Sequence, residues 1–119
     1  MEKEKTYIRY KVFRLNRNKK LRSYFGKIQW VKNKWFHKKQ QVVLCNYGFH
    51  CSRNLKHAWF YGNGDVIAKV EVKGDYRKQS DKEVWQSMRI LKTYQLTGRE
   101  RVWGINSSHA HTKYIKKLT

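Results

Sequence analysis

Hydrophobic and polar positions alternate most cleanly in two places along this 119-residue chain. Between residues 6 and 14, Ile8, Tyr10 and Val12 fall on one face and Tyr7, Arg9 and Lys11 on the other, the pattern of a half-buried strand. Between residues 65 and 74, Val66, Ala68, Val70 and Val72 alternate with Ile67, Lys69, Glu71 and Lys73, the clearest strand in the chain. Residues 21–31 are rich in aromatic and β-branched side chains, with Tyr24, Ile28 and Trp30 sharing a face. They predict a second strand that forms a hairpin with the first across the turn Asn16-Arg17-Asn18-Lys19-Lys20. Residues 32–41 predict a basic loop with Trp35 and Phe36 at its middle, followed by a short apolar strand over 42–45 and a turn at Asn46-Tyr47-Gly48.

Ser52 is placed to cap a short helix over 53–61 that buries Leu55, Ala58 and Trp59, and Gly62-Asn63-Gly64 stops it. Residues 80–95 carry two signals. Ser80-Asp81-Lys82-Glu83 matches a capping box, and Val84, Ser87, Met88 and Leu91 fit one helical face, whereas residues 88–94 read equally as a strand. The expected result is a helical turn followed by a strand. Together these elements predict a small α+β domain over 1–97, built on a mostly antiparallel sheet with one or two short helices, and a basic C-terminal extension over 98–119.

Charge changes what this scaffold is expected to meet. The chain holds 28 Lys and Arg against 8 Asp and Glu, a formal charge of +20, yet 15% of its residues are aromatic and five are Trp. Disordered basic tails are poor in aromatics, so a folded core is expected. Residues 1–40 alone carry 14 basic and 2 acidic side chains. A surface this basic attracts polyanions and releases their counterions on binding, so nucleic acid, with RNA favoured, or a nucleoprotein complex is the expected partner. The candidate contacts are Arg9, Lys11, Arg17, Lys19, Lys20, Arg22, Lys27, Lys32, Lys34, Lys38 and Lys39, with Trp35 and Phe36 as stacking rings. His109, His111 and the lysines of 113–117 form a second, weaker candidate. No helix-turn-helix, zinc-finger or RNA-recognition motif is visible, so readout of a specific sequence is not expected.

The cluster Cys45, His50, Cys51 and His57 invites a zinc reading, but adjacent His50 and Cys51 point opposite ways in extended chain and no Cys-x-x-Cys pair occurs. Cys51 at a helix N-terminus would be an activated thiolate; a buried structural thiol is the plainer expectation. No cofactor or bound metal is expected. No apolar run is long enough for a membrane span and the N-terminus lacks a signal-peptide pattern, so a cytoplasmic protein that makes no membrane contact is expected.

Gly48-Phe49-His50-Cys51, the helix with Ala58 and Tyr61, the strand Asp65 to Gly74 and the segment Asp81-Lys82 to Leu91 resemble a family of uncharacterised phage-borne domains with a Gly-Phe-His-x-Cys turn. Tyr10-Lys11-Val12-Phe13 is similar to that family's first strand, and the resemblance covers roughly residues 8–95. It implies a viral or prophage origin, and with that an alternative function as an inhibitor docking on a host defence nucleoprotein complex. A looser similarity to the ADP-ribosyltransferase fold implies an NAD-binding enzyme with Arg9, His50 and Glu71 as the nearest equivalents. That likeness lacks the Ser-Thr-Ser and Gln-x-Glu runs of such enzymes.

Overall fold

In the computed structural model, a six-stranded antiparallel sheet curls around an aromatic core, and three short helices cover part of its outer face. The structure describes residues 5–23, 28–39, 41–43, 48–61, 64–80, 82–103 and 108–119; side chains at 60–61, 102–103 and 108–111 are not described. Tyr24, Lys27, Cys45, Asn46, Tyr47, Gly62, Asn63 and Asp81 of the sequence reading lie outside that set, as do the side chains of His109 and His111. The radius of gyration is 13.8 Å.

The strands are β1 (Tyr7–Leu15), β2 (Leu21–Arg22), β3 (Phe36–His37), β4 (Phe49–Cys51), β5 (Val66–Gln79) and β6 (Lys82–Gln95). The order is β2-β1-β5-β6-β3, and β4 lies on β6 beside β3. Closure comes from Ser52, directly after β4: its backbone exchanges two hydrogen bonds with Tyr10 of β1, at 2.9 and 3.0 Å. Strands β1, β5, β6 and β4 therefore form a ring, which removes most open edges.

The expected turn at 16–20 is present, with Asn16 Oδ1 accepting from the backbone N–H of Asn18 and Lys20. Among its described residues, the expected second strand appears as β2 and a bridge from Leu21 to Trp30. From there the chain crosses the concave face, and Trp30 packs edge-on to Phe13 and Phe49 and beside Phe36, with centroids 4.7–5.4 Å apart. Val66, Ala68, Val70 and Val72 line this inner core with Met88 and Ile90. On the outer face Ile67 and Val12 pack against Leu55, Ala58 and Trp59 of α1 (Leu55–Tyr61), as the helical pattern predicts. The cap differs: Asn54 Oδ1 accepts from His57 N, while Ser52 is taken up in the sheet bridge.

Residues 82–95 are strand throughout, which corrects the helical turn expected at their start. Register shifts opposite Lys69/Val70 and Lys73/Tyr76 re-phase the alternation. Buried positions therefore fall at 83, 84, 85, 87, 88 and 90, a spacing that imitates a helix. The C-terminal extension is also tied to the domain. Helices α2 (Gly98–Trp103) and α3 (Ser108–Lys117) follow β6, and Tyr114 and Leu118 are buried in the outer cluster at 4% and 1% exposure.

Candidate nucleic-acid interface

The hairpin β1–β2 carries exposed Arg17, Lys19 and Lys20, with Arg22 half-buried at its return. Through the Leu21–Trp30 bridge it is tied to the crossing segment, where Lys32, Lys34 and Lys39 are exposed. The bridge joins the two basic stretches at Leu21 and Trp30, while Lys34 and Lys39 lie further along beside β3, at the other end of the strand order from β2. Lys34 and Lys38 lie with Nζ 5.2 and 5.3 Å from the Phe36 and Phe49 ring centroids, so each ammonium rests over an aromatic face.

Arg9 and Lys11 belong elsewhere. Both sit on the inner face of β1. Arg9 Nε donates to Glu83 at 2.6 Å, and Lys11 Nζ donates to the His50 carbonyl at 2.5 Å. The proposed rings also differ from expectation. Phe36 turns into the core against Trp30. Trp35 projects from the outer face, where Lys73 Nζ and the Arg89 guanidinium lie 4.3 and 4.9 Å from its centroid. Arg89 is also paired with Glu71. Register explains the assembly: Glu71 faces Arg89 across β5–β6, and one residue before β3 Trp35 stands beside them. Sequence spacing alone could not unite residues 35, 71, 73 and 89.

A second cluster escaped the sequence reading altogether. Glu83 is 2% exposed and accepts three donors: Arg9 Nε, Trp85 Nε1 at 2.9 Å and Arg53 Nε at 3.1 Å. Burial alone would raise its pKa, but the hydrogen bonds from Arg9 and Trp85, the Arg9 charge and the Arg53 bond outweigh this and lower it. Trp85 lies between Tyr76, stacked at 4.5 Å and 14°, and Tyr7 at 5.5 Å. The signal was present as Tyr7, Arg9 and Lys11 on one face. Their partners Glu83 and Trp85 are 70 or more residues away.

Beside this cluster, burial pushes the Lys11 pKa down to about 8, partly offset by Cys51. Burial also pushes the Cys51 thiol up to about 12, against the opposing charge of Lys11. Cys51 lies inside β4 rather than at the start of α1, so the thiolate alternative falls away and the plainer expectation holds: Cys51 is a buried thiol. His50 alternates to the other side of β4. Its pKa is lowered to about 4 by burial and then by Lys11 and Lys82. Among the described residues no three His, Cys, Asp or Glu side chains gather as metal ligands. Arg9 pairs across to Val70 and Glu71 to Ile8, so Arg9 and Glu71 project from opposite faces and share no pocket.

Residues 7–100 match the model of a family described as a domain of unknown function, DUF7666. The chain belongs to that family. The DUF7666 match spans the whole curled sheet and α1 and stops within α2, so α3 packs on the family domain from outside the matched region. Neither a curated protein nor a solved structure matches the chain. No helix among the described residues is long and apolar enough to cross a membrane.

Proposed function

We propose that the protein binds nucleic acid, alone or within a nucleoprotein complex, through phosphate contacts from its basic surface. RNA is the favoured partner. The observation that carries this reading is the disposition of the acids. All five carboxylates among the described residues are already engaged within the fold: Asp65 with Arg101, Glu71 with Arg89, Asp75 with Arg77, Glu83 with Arg9 and Arg53, and Glu100 with Tyr94, Tyr114 and Thr97. Arg17, Lys19 and Lys20 of the hairpin and Lys32, Lys34 and Lys39 of the crossing segment are exposed in a chain of net charge +20, a balance that strongly favours a polyanion.

Arg17, Lys19, Lys20, Lys32, Lys34 and Lys39 are the primary phosphate contacts, with Arg22 and Lys38 at their margin. The test is a titration of labelled RNA followed by anisotropy between 50 and 200 mM salt. Affinity should fall with a log–log slope near −0.7 per phosphate contact on a single strand. A slope near zero removes the reading.

A further inference from the structure

The ring of Trp85 is buried, at 3% exposure, yet the two rings flanking it are not: Tyr7 is 42% exposed and Tyr76 is 49% exposed. Tyr76 is the cross-strand partner of Trp85 near the end of the long β5–β6 ribbon, and its near-parallel stack uses one ring face and leaves the other outward. The platform is rigid. Trp85 is fixed by its indole N–H to Glu83, and Arg9, held by the same carboxylate, lies 5.5 and 5.8 Å from the Tyr7 and Trp85 centroids. Glu83 also holds Arg53 by Nε while that side chain remains 62% exposed, so a guanidinium is fixed beside the rings with its outer edge in water. Lys78, two residues after Tyr76 on the same strand face, is exposed, whereas Arg77 alternates to the other face and is paired with Asp75.

We infer that this ladder is a base-stacking subsite for single-stranded nucleic acid: an unpaired base lies on the outer face of Tyr76 or Tyr7, and its phosphate meets Arg53 and Lys78. The inference rests on the proposed function and deepens it by naming the strandedness of the partner. Bases inside a duplex already have both faces covered, whereas an unpaired base offers one to an aromatic ring. Charge complementarity selects this occupant over an apolar protein surface, since Arg53 is held by Glu83 beside the rings and Lys78 stands on the same strand face as Tyr76. Trp35, the ring expected to stack from sequence, already carries Lys73 and Arg89 on its π-system.

The experiment compares a 12-nucleotide RNA strand, the same sequence as DNA, the RNA duplex, and a strand of the same length made abasic. Binding is measured for the wild-type protein and for Tyr76→Ala, Tyr76→Phe and Tyr7→Ala. The wild type should bind base-bearing strands about 5- to 150-fold tighter than the abasic strand, the range expected for one stacked base. Tyr76→Ala or Tyr7→Ala should remove most of that preference without changing the salt slope. Tyr76→Phe should keep it. The RNA and DNA arms identify which single strand is preferred. The ladder is overturned if the abasic strand binds equally well, or if the alanine variants lose duplex and single-strand affinity alike. In either case salt-dependent binding leaves the proposed function standing. Absence of salt-dependent binding to every nucleic acid removes both.

Discussion

Glu83 is the residue on which most of the inner site depends. It is buried, charged and bonded to Arg9, Trp85 and Arg53, and removing it leaves Arg9, itself 14% exposed, without its counter-charge. Such a loss costs about 3–5 kcal/mol, so Glu83→Ala should lower unfolding stability in urea by that amount. The pH dependence has a definite sign. The folded pKa of Glu83 lies below its unfolded value, so its stabilisation is complete above the ordinary carboxylate range and is lost as pH falls through the folded value. Wild-type stability should therefore decline more steeply below about pH 4.5 than that of Glu83→Gln. Cys51, with its thiol pushed up to about 12, should resist alkylation at pH 8 in the folded protein and react promptly once unfolded in denaturant. Prompt labelling of the native state would mean that β4 opens readily.

At the scale of elements, helix ends and the docked C-terminal segment carry the testable content. Asn54 caps α1 through its bond to His57 N, and Asn54→Ala should cost about 1 kcal/mol in thermal or chemical unfolding. Leu118 is buried against the outer cluster, so Leu118→Ala should cost about 2–5 kcal/mol while leaving nucleic-acid affinity unchanged. A stability change near zero would mean that α3 is not docked in solution. By sequence 98–119 reads as a basic extension, although Thr97-Gly98-Arg99-Glu100 is a capping box for α2, and both reciprocal bonds form, Glu100 N to Thr97 Oγ1 at 3.1 Å and Thr97 N to Glu100 Oε1 at 2.9 Å. What no local pattern announces is that Glu100 also accepts from Tyr114 at 2.7 Å and so holds α3 against β6.

At the scale of the molecule, the sequence-derived charge map and the folded surface differ in an instructive way. Of the basic residues in the first strand, Arg9 and Lys11 are structural, whereas the hairpin and crossing segment keep theirs at the surface. Replacing Arg17, Lys19 and Lys20 with Ser should therefore reduce the salt slope by up to about two units on single strands, at about 0.7 per lost contact. Stability should change by less than about 1 kcal/mol because these side chains are exposed. An unchanged slope would move the interface away from the hairpin.

Alternation alone determined β1, β5 and the apolar face of α1, because period-2 and period-3.6 burial are local properties that survive in any fold of this class. Composition alone determined that the surface is strongly basic. Only the tertiary structure decided that β4 closes the sheet through Ser52, that residues 82–86 are strand despite their helical spacing, and that Phe36 is core while Trp35 is outward. It alone also brought Tyr7, Arg9, Tyr76, Glu83 and Trp85 to one place. Bulges shift the phase of a strand, and pairing register joins residues far apart in sequence; neither leaves a periodic signal along the chain.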